Sequence, residues 1–354
     1  MKEKISNLSL FTLIFLTTTA TTLMLGMSDS VGTSSFLAVP IGAVLALPLY
    51  LILIRVRRLY ADKSLGQLIL YLYGDTFGRV ICGIYALFAL FTGAMLTGYL
   101  TRFISFTGEN QQVTATFSLF FLMAVYLGAR VRLGASARLS RLLFPAAAVI
   151  LLQSLLLCLV KFDPSAITPL FDRSFGDFAL AGTSLLLFPF CQVVLLLPFI
   201  FRSKTSKVAK PLLWALGLSS LIITLAYLGT AGVLGGPSME KLNYPYYMAL
   251  SVLDITSFFQ RIEVLLSIHF VLAMLVKGMA CVIFSCRAAA HALHQRHPRT
   301  LAAPIAALTL GLSLMLFSTT EEMFDLMNLY PFLMAPFVLI FPIITYFVAV
   351  AKKR

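Results

Sequence analysis

Ten times between residues 8 and 350 the sequence runs for about 20 residues with almost no charge, and this repeat constrains the fold more than any other feature. The runs are continuous and show no alternation of period two, so they read as helices and not as the strands of a barrel. Hydrophobic residues make up 60% of the chain and charged residues 12%, about half the charged share of a soluble domain. A water-facing surface cannot be built from that composition. The solvent is lipid, where every backbone polar group must be satisfied within the protein.

The ten spans fall at 8–27, 36–54, 80–103, 113–129, 142–160, 178–201, 211–234, 261–286, 301–317 and 331–350. Together they read as one polytopic membrane domain over 1–354, with a first half of about 8–160 and a second of about 178–350. The net charge of +13 would suggest nucleic acid in a soluble protein. Here the basic residues sit in short connections. Of the 27 lysines and arginines, 21 fall in segments sharing a side with the N-terminus, five lie on the other side, and Lys277 lies within a span. This bias places both termini in the cytoplasm. The partner it implies is the lipid bilayer, with no nucleic acid. The apolar run after the basic start is span-length and lacks a small-residue cleavage site, so no cleavable signal peptide is expected. The cysteines form no C-x-x-C pair and read as buried thiols.

Two connections are more than turns. Residues 64–78 carry apolar positions at helical spacing but are too short to span, which predicts a helix along the interface. Residues 235–260 are long enough for one or two short helices capping a vestibule on the outer side.

Few residues in these runs could carry chemistry. Thr17, Thr18, Thr19, Ala20, Thr21 and Thr22 stand together in span one. Such a stretch fits either an unwound helix at a midplane binding site or a small-residue packing face. Phe188, Pro189, Phe190 and Gln192 stand in the middle of span six. Pro189 removes a helical hydrogen bond there, and Gln192 puts an amide into the membrane beside it. Spans one and six hold corresponding places in two five-helix halves, and paired interruptions at such places mark a midplane site. Lys277 lies near the middle of span eight. A cation that deep in a span is functional by default, standing in for a sodium ion between helices or meeting a substrate carboxylate, with a structural lysine paired to backbone carbonyls as the alternative. Arg261 and Glu263, with Tyr244 and Tyr246, could gate the outer side; the charged pair fits an interfacial anchor equally well. His291, His294 and His297 lie on a basic loop without a carboxylate or cysteine, so no metal is expected. No cofactor motif or catalytic constellation is present, and the chain does not read as an enzyme.

The chain resembles the membrane-embedded B subunit of spore-germination nutrient receptors, a branch of the amino acid–polyamine–organocation transporter superfamily. The resemblance rests on the opening MKEKISNLSLF, on the run from Ala61 to Leu65, and on Leu187 to Phe190. It also rests on Tyr244-Pro245, on Gln260-Arg261 followed by Glu263, and on Lys277 downstream. It implies an all-α, LeuT-like fold of ten transmembrane helices in two inverted five-helix repeats, with helices 1 and 6 broken. It also implies a nutrient sensor in the inner membrane of the cell or spore. Its ligand would be a small nutrient such as an amino acid, and its partners a receptor A subunit and a lipoprotein C subunit. The sequence departs from the family pattern at Cys191-Gln192, where a Gly-Glu pair is usual, at Ala20-Thr21 in place of Gly-Thr, and at Gln260 in place of Glu. The first change removes a carboxylate that could carry a proton or cation. A sensor that changes shape, an active amino acid permease and a channel-like structural component all fit such a fold.

Overall fold

The structure is a computed structural model describing residues 5–26, 29–108, 111–170, 173–203, 207–239, 241–253 and 263–353. Among these the chain is helical, and its sole β pairing is one isolated parallel bridge between Ile5 and Ser203. In chain order the helices are α1 (Asn7–Leu25), α2 (Ser35–Leu59), α3 (Leu65–Tyr73), α4 (Asp75–Phe106) and α5 (Gln111–Arg130). There follow α6 (Leu133–Cys158), α7 (Phe175–Leu187), α8 (Leu197–Ile200), α9 (Ala209–Leu234) and α10 (Gly236–Met239). The last five are α11 (Pro245–Ser251), α12 (Glu263–Ala292), α13 (Ala302–Met315), α14 (Thr320–Ala335) and α15 (Phe341–Ala351). Nine stretches among the described residues are long and apolar enough to cross a membrane, counting α7 with α8 and α14 with α15 as single spans. The apolar part of α5, Thr114–Arg130, is a shorter tenth. Every span read from the sequence meets a helix.

Local chemistry sets the helix ends. Ser6 caps α1, its hydroxyl accepting from the Ser9 amide at 3.1 Å. Ser64 and Gln67 form a reciprocal capping box at the start of α3, and Gly74, at φ 79°, ends it in a conformation that favours glycine. The short helix expected between spans two and three is therefore present, and α10 and α11 occupy the long connection after residue 235. Span ten begins earlier than its hydropathy suggests. Thr319 caps α14 through the Glu322 amide, and Glu321 and Glu322 sit in the first turn, where the helix dipole favours negative charge. Residues expected in a loop are thus helical.

The polarity of the bundle is inverted relative to a water-soluble core. Leu142, Leu314 and Met315 stand exposed on its outside, while Thr12, Thr92, Ser140, Ser154 and Lys277 are buried within. That arrangement suits a lipid solvent. At the centre lie α1, α12 and span six, in which every residue from Leu185 to Phe201 is buried. Span six is drawn close to α2 by glycines. A Cβ on Gly42 would lie 2.8 Å from Leu185 Cβ, and one on Gly182 would lie 2.8 Å from Ile41 Cγ2. Small residues at a membrane helix crossing allow that approach.

Span six breaks where the proline predicts. α7 stops at Leu187 and Phe188 is extended. After Pro189 the chain winds as a 3₁₀ helix over Phe190–Leu196 before α8. Pro189 has no N–H to give to the turn before it. The Phe190 carbonyl is satisfied by the Tyr50 hydroxyl of α2 at 3.3 Å.

Span one corrects the sequence expectation. α1 runs without interruption from Asn7 to Leu25, straight through Ala20, Thr21 and Thr22. The threonines stay inside the helix by donating to carbonyls one turn back: Thr17 to Leu13 and Ile14, Thr18 to Ile14, Thr19 to Phe15 and Thr22 to Thr18, at 2.8 to 3.1 Å. A hydroxyl satisfied in this way needs no unwound backbone. The amides of this stretch are therefore not free to meet a ligand.

Candidate functional site

Lys277 is 1% exposed and lies on the part of α12 that faces α1 and span six. Its ammonium donates to Thr21 Oγ1 at 2.9 Å and stands 5.0 Å from the centre of the Phe188 ring. Thr21 is thus distinguished from its neighbours: the other threonines of the run turn their hydroxyls back on α1. Among the described residues the sole ion pair is Arg79 with Asp75, far along the sequence from Lys277. A buried ammonium held by one hydroxyl and one aromatic face keeps unused hydrogen-bond donors.

Gln192 lies on the opposite wall. Its amide Nε2 donates to the Tyr330 hydroxyl of α14 at 3.1 Å, and Tyr330 meets Thr92 Oγ1 of α4 at 2.9 Å. Thr92 gives its proton to the Phe88 carbonyl at 2.9 Å, so the chain has one direction: Gln192 to Tyr330, Tyr330 to Thr92, Thr92 to Phe88. The relay uses one of the two Gln192 N–H donors and leaves its Oε1 buried without a partner. Phe188 packs edge-on against the Tyr330 ring at 5.8 Å. A cavity of about 10 Å³, the room of a single water, is lined by Thr17, Thr18, Pro189, Gln192 and Lys277 together with apolar residues of span six and Ala280. The site is closed down in this conformation.

Of the residues singled out in the sequence, the structure brings together Thr21, Phe188, Pro189, Gln192 and Lys277. Pro189, Gln192 and Lys277 line the cavity, Thr21 and Phe188 join them through Lys277, and Thr19, Ala20, Thr22 and Phe190 are buried without lining it. Tyr244 and Tyr246 belong to one end of the bundle. Tyr244, in the left-handed conformation at φ 56°, packs its ring against Phe103, Phe106 and Phe324 at 4.9 to 5.6 Å between centroids. Tyr246 is held to α6 by Ser154 at 2.7 Å. Glu263 opens α12, and Arg261 lies outside the described residues. Sequence reasoning missed Tyr330, Thr92 and Tyr50. Their signal was a hydroxyl within an apolar run, which must find a partner once it is in lipid. It also missed His269, on the same face of α12 two turns before Lys277. His269 is 1% exposed, and neither ring nitrogen has a hydrogen-bond partner.

The other end of the bundle, where the described N- and C-terminal residues meet, holds a cavity of about 640 Å³. Arg57 forms part of its wall and donates to the carbonyls of Tyr60, Ala61, Ile200 and Ser203 at 2.7 to 3.4 Å. Ile5 donates its amide to the Arg202 carbonyl at 3.1 Å.

Nine membrane-length apolar spans and a shorter tenth among the described residues, a central span broken at a proline and a small polar site beside the break fit a membrane protein of LeuT-like fold. The solved structures agree. The chain superposes on MhsT in complex with L-phenylalanine with a TM-score of 0.69 at 14% identity, over 99% of this chain and 89% of that one. It superposes on Mhp1, a nucleobase-cation-symport-1 family transporter in a closed conformation with bromovinylhydantoin bound, with a TM-score of 0.64 at 12% identity, over 95% and 77%. Residues 4–323 match the family described as spore germination protein, and the chain belongs to that family. It is 22% identical to spore germination protein KB of Bacillus subtilis strain 168, over 100% of this chain and 96% of that protein.

Proposed function

We propose that the chain is the membrane-embedded subunit of a germinant receptor and that it senses a free amino acid held between Lys277 and Gln192. The observation that carries this reading is the pair of incomplete polar groups on one cavity. Lys277 is a cation without an anion, and Gln192 Oε1 is an acceptor without a donor. An α-amino acid supplies the two missing halves, its carboxylate to Lys277 and its ammonium to Gln192. Phe188 and the apolar residues of span six would face its side chain. Binding would require the cavity to open, so the ligand stabilises a conformation other than the closed one and shifts the population toward it. That shift is the signal.

The same reading makes Thr21 and Phe188 the groups that hold the Lys277 ammonium in place, and makes the aromatic cluster around Tyr244, with Tyr246 and Glu263 nearby, the outer closure. His269 would lie between that closure and Lys277. Family membership and the basic end of the bundle support placing the chain in the inner membrane of the cell or spore, with both termini cytoplasmic. They also support an A subunit and a lipoprotein C subunit as its partners. An active permease is the second reading. It draws support from the cavity of about 640 Å³ at the end opposite the aromatic cluster, which gives the site a second side to open to.

The test is labelled amino-acid binding and uptake with purified protein in sealed vesicles, with permeabilised vesicles as the control. Saturable binding without accumulation is the expected result. Time-dependent accumulation would establish the permease instead, and equal affinity for an amino acid and its carboxamide would refute the pairing with Lys277.

A further inference from the structure

The cavity at the terminal end of the bundle gathers basic side chains from several segments of the chain. Its wall is built from the α2–α3 connection, the α5–α6 connection, the residues after α8, the last turns of α12, and the turn before α13. Arg202, Arg287 and Arg299 come to it from three of these segments, and Arg287 stands within electrostatic reach of both other guanidiniums. Lys63, His291 and His297 add to the rim, and Asp62 is the one carboxylate among the lining residues. Among the described residues none of the three arginines forms an ion pair. Arg57, behind them, is committed to four carbonyls and adds only its charge.

A preference for basic residues at one side of a membrane explains charges spread along a rim. It does not explain guanidiniums gathered into one recess whose lining also includes the apolar Phe201 and Ile283. Low-dielectric walls around charges of one sign focus the field and concentrate a counter-ion. Planar guanidinium forks match a tetrahedral oxyanion in geometry as well as charge. The volume is that of a ligand site. We infer that this recess is a binding site for a phosphate-class oxyanion, with Arg202, Arg287 and Arg299 as its ligands. The phosphate is either free in solution, alone or on a small metabolite, or is the headgroup of an anionic lipid. Because the three arginines belong to the end of span six, to α12 and to the start of span nine, the occupant fastens these elements together. It holds the recess in the shape seen here.

The experiment uses the full chain in nanodiscs and reads thermal unfolding together with binding of labelled inorganic phosphate. In phosphatidylcholine discs, phosphate and pyrophosphate should raise the unfolding temperature saturably, while sodium chloride at matched ionic strength should not. An R287Q/R299Q double variant should bind phosphate at least about tenfold more weakly, given the strength of hydrogen bonds to charged groups. It should unfold cooperatively and keep the amino-acid affinity of the Lys277 site, which shows that it is folded. In phosphate-free buffer with discs containing phosphatidylglycerol, a stabilisation that disappears in the double variant identifies the lipid headgroup as the source. Its absence, with phosphate still binding in phosphatidylcholine, identifies a soluble phosphate. If neither phosphate nor phosphatidylglycerol distinguishes the parent from the double variant, the proposal is wrong.

Discussion

Replacing Lys277 by methionine separates what the ammonium does for a ligand from what it does for the fold. Methionine is flexible and unbranched, so it fills much of the space the lysine chain leaves. The change removes a charge that is 1% exposed and donates to Thr21 at 2.9 Å. Truncating one partner of a buried, hydrogen-bonded charge pair costs about 2–5 kcal/mol. At about 1.4 kcal/mol per decade, that weakens amino-acid binding between about 30-fold and about 4,000-fold. The ligand-free protein behaves differently, because the variant relieves an ammonium of its desolvation and leaves Thr21 a hydroxyl that can turn back on its own helix. Its unfolding temperature should therefore hold or rise. Calorimetric titration in nanodiscs with an amino acid and its carboxamide gives the decisive comparison. The parent should prefer the acid, and K277M should bind the two alike. A K277M protein that keeps the preference, or binds the acid within threefold of the parent, refutes the role assigned to this residue.

Three further outcomes follow from the same contacts. Tyr330→Phe removes the hydroxyl that accepts from Gln192 and donates to Thr92. Stranding those groups should lower stability by about 1–3 kcal/mol, read as a lower unfolding temperature with amino-acid binding also weakened. Gly42→Leu drives a side chain into Leu185 and the Leu186 backbone; overpacking of this kind costs about 1–3 kcal/mol, and fluorescence size-exclusion should show loss of the monodisperse peak, whereas G42A should be milder. Arg57→Met leaves four carbonyls without their donor. It should raise hydrogen exchange at 200–203 and at 60–61, while R57K should restore part of the protection.

Much of the fold was written in the length of the apolar runs, since each had one stable solution in lipid. The proline in span six was equally legible, because a missing N–H acts locally. The threonines of span one were not. Their hydroxyls can serve an unwound site or close on their own helix, and the choice depends on what lies across from them, which residue spacing does not carry. Lys277 announced itself as a buried charge, but its partner Thr21 lies 256 residues away. Tyr330 stood at the boundary of the span as hydropathy drew it, and the helix dipole and the Thr319 cap carry α14 past that boundary. Arg202, Arg287 and Arg299 read as three ordinary loop charges until the fold gathered them.

Span six is fixed at two ends. The Gly42–Gly182 crossing presses α7 onto α2, and Arg57 and Ile5 hold residues 200–203 by their backbone. Between these clamps lies the 3₁₀ segment Phe190–Leu196, a winding whose hydrogen-bond geometry is poorer than that of an α-helix. Mechanically this is a beam with its compliance in the middle. A molecule pushing Phe188 and Gln192 apart from Lys277 bends it where it is softest, and the deflection is handed to the clamped end. Such a part works as a strain gauge, turning a load at its middle into a displacement at its end.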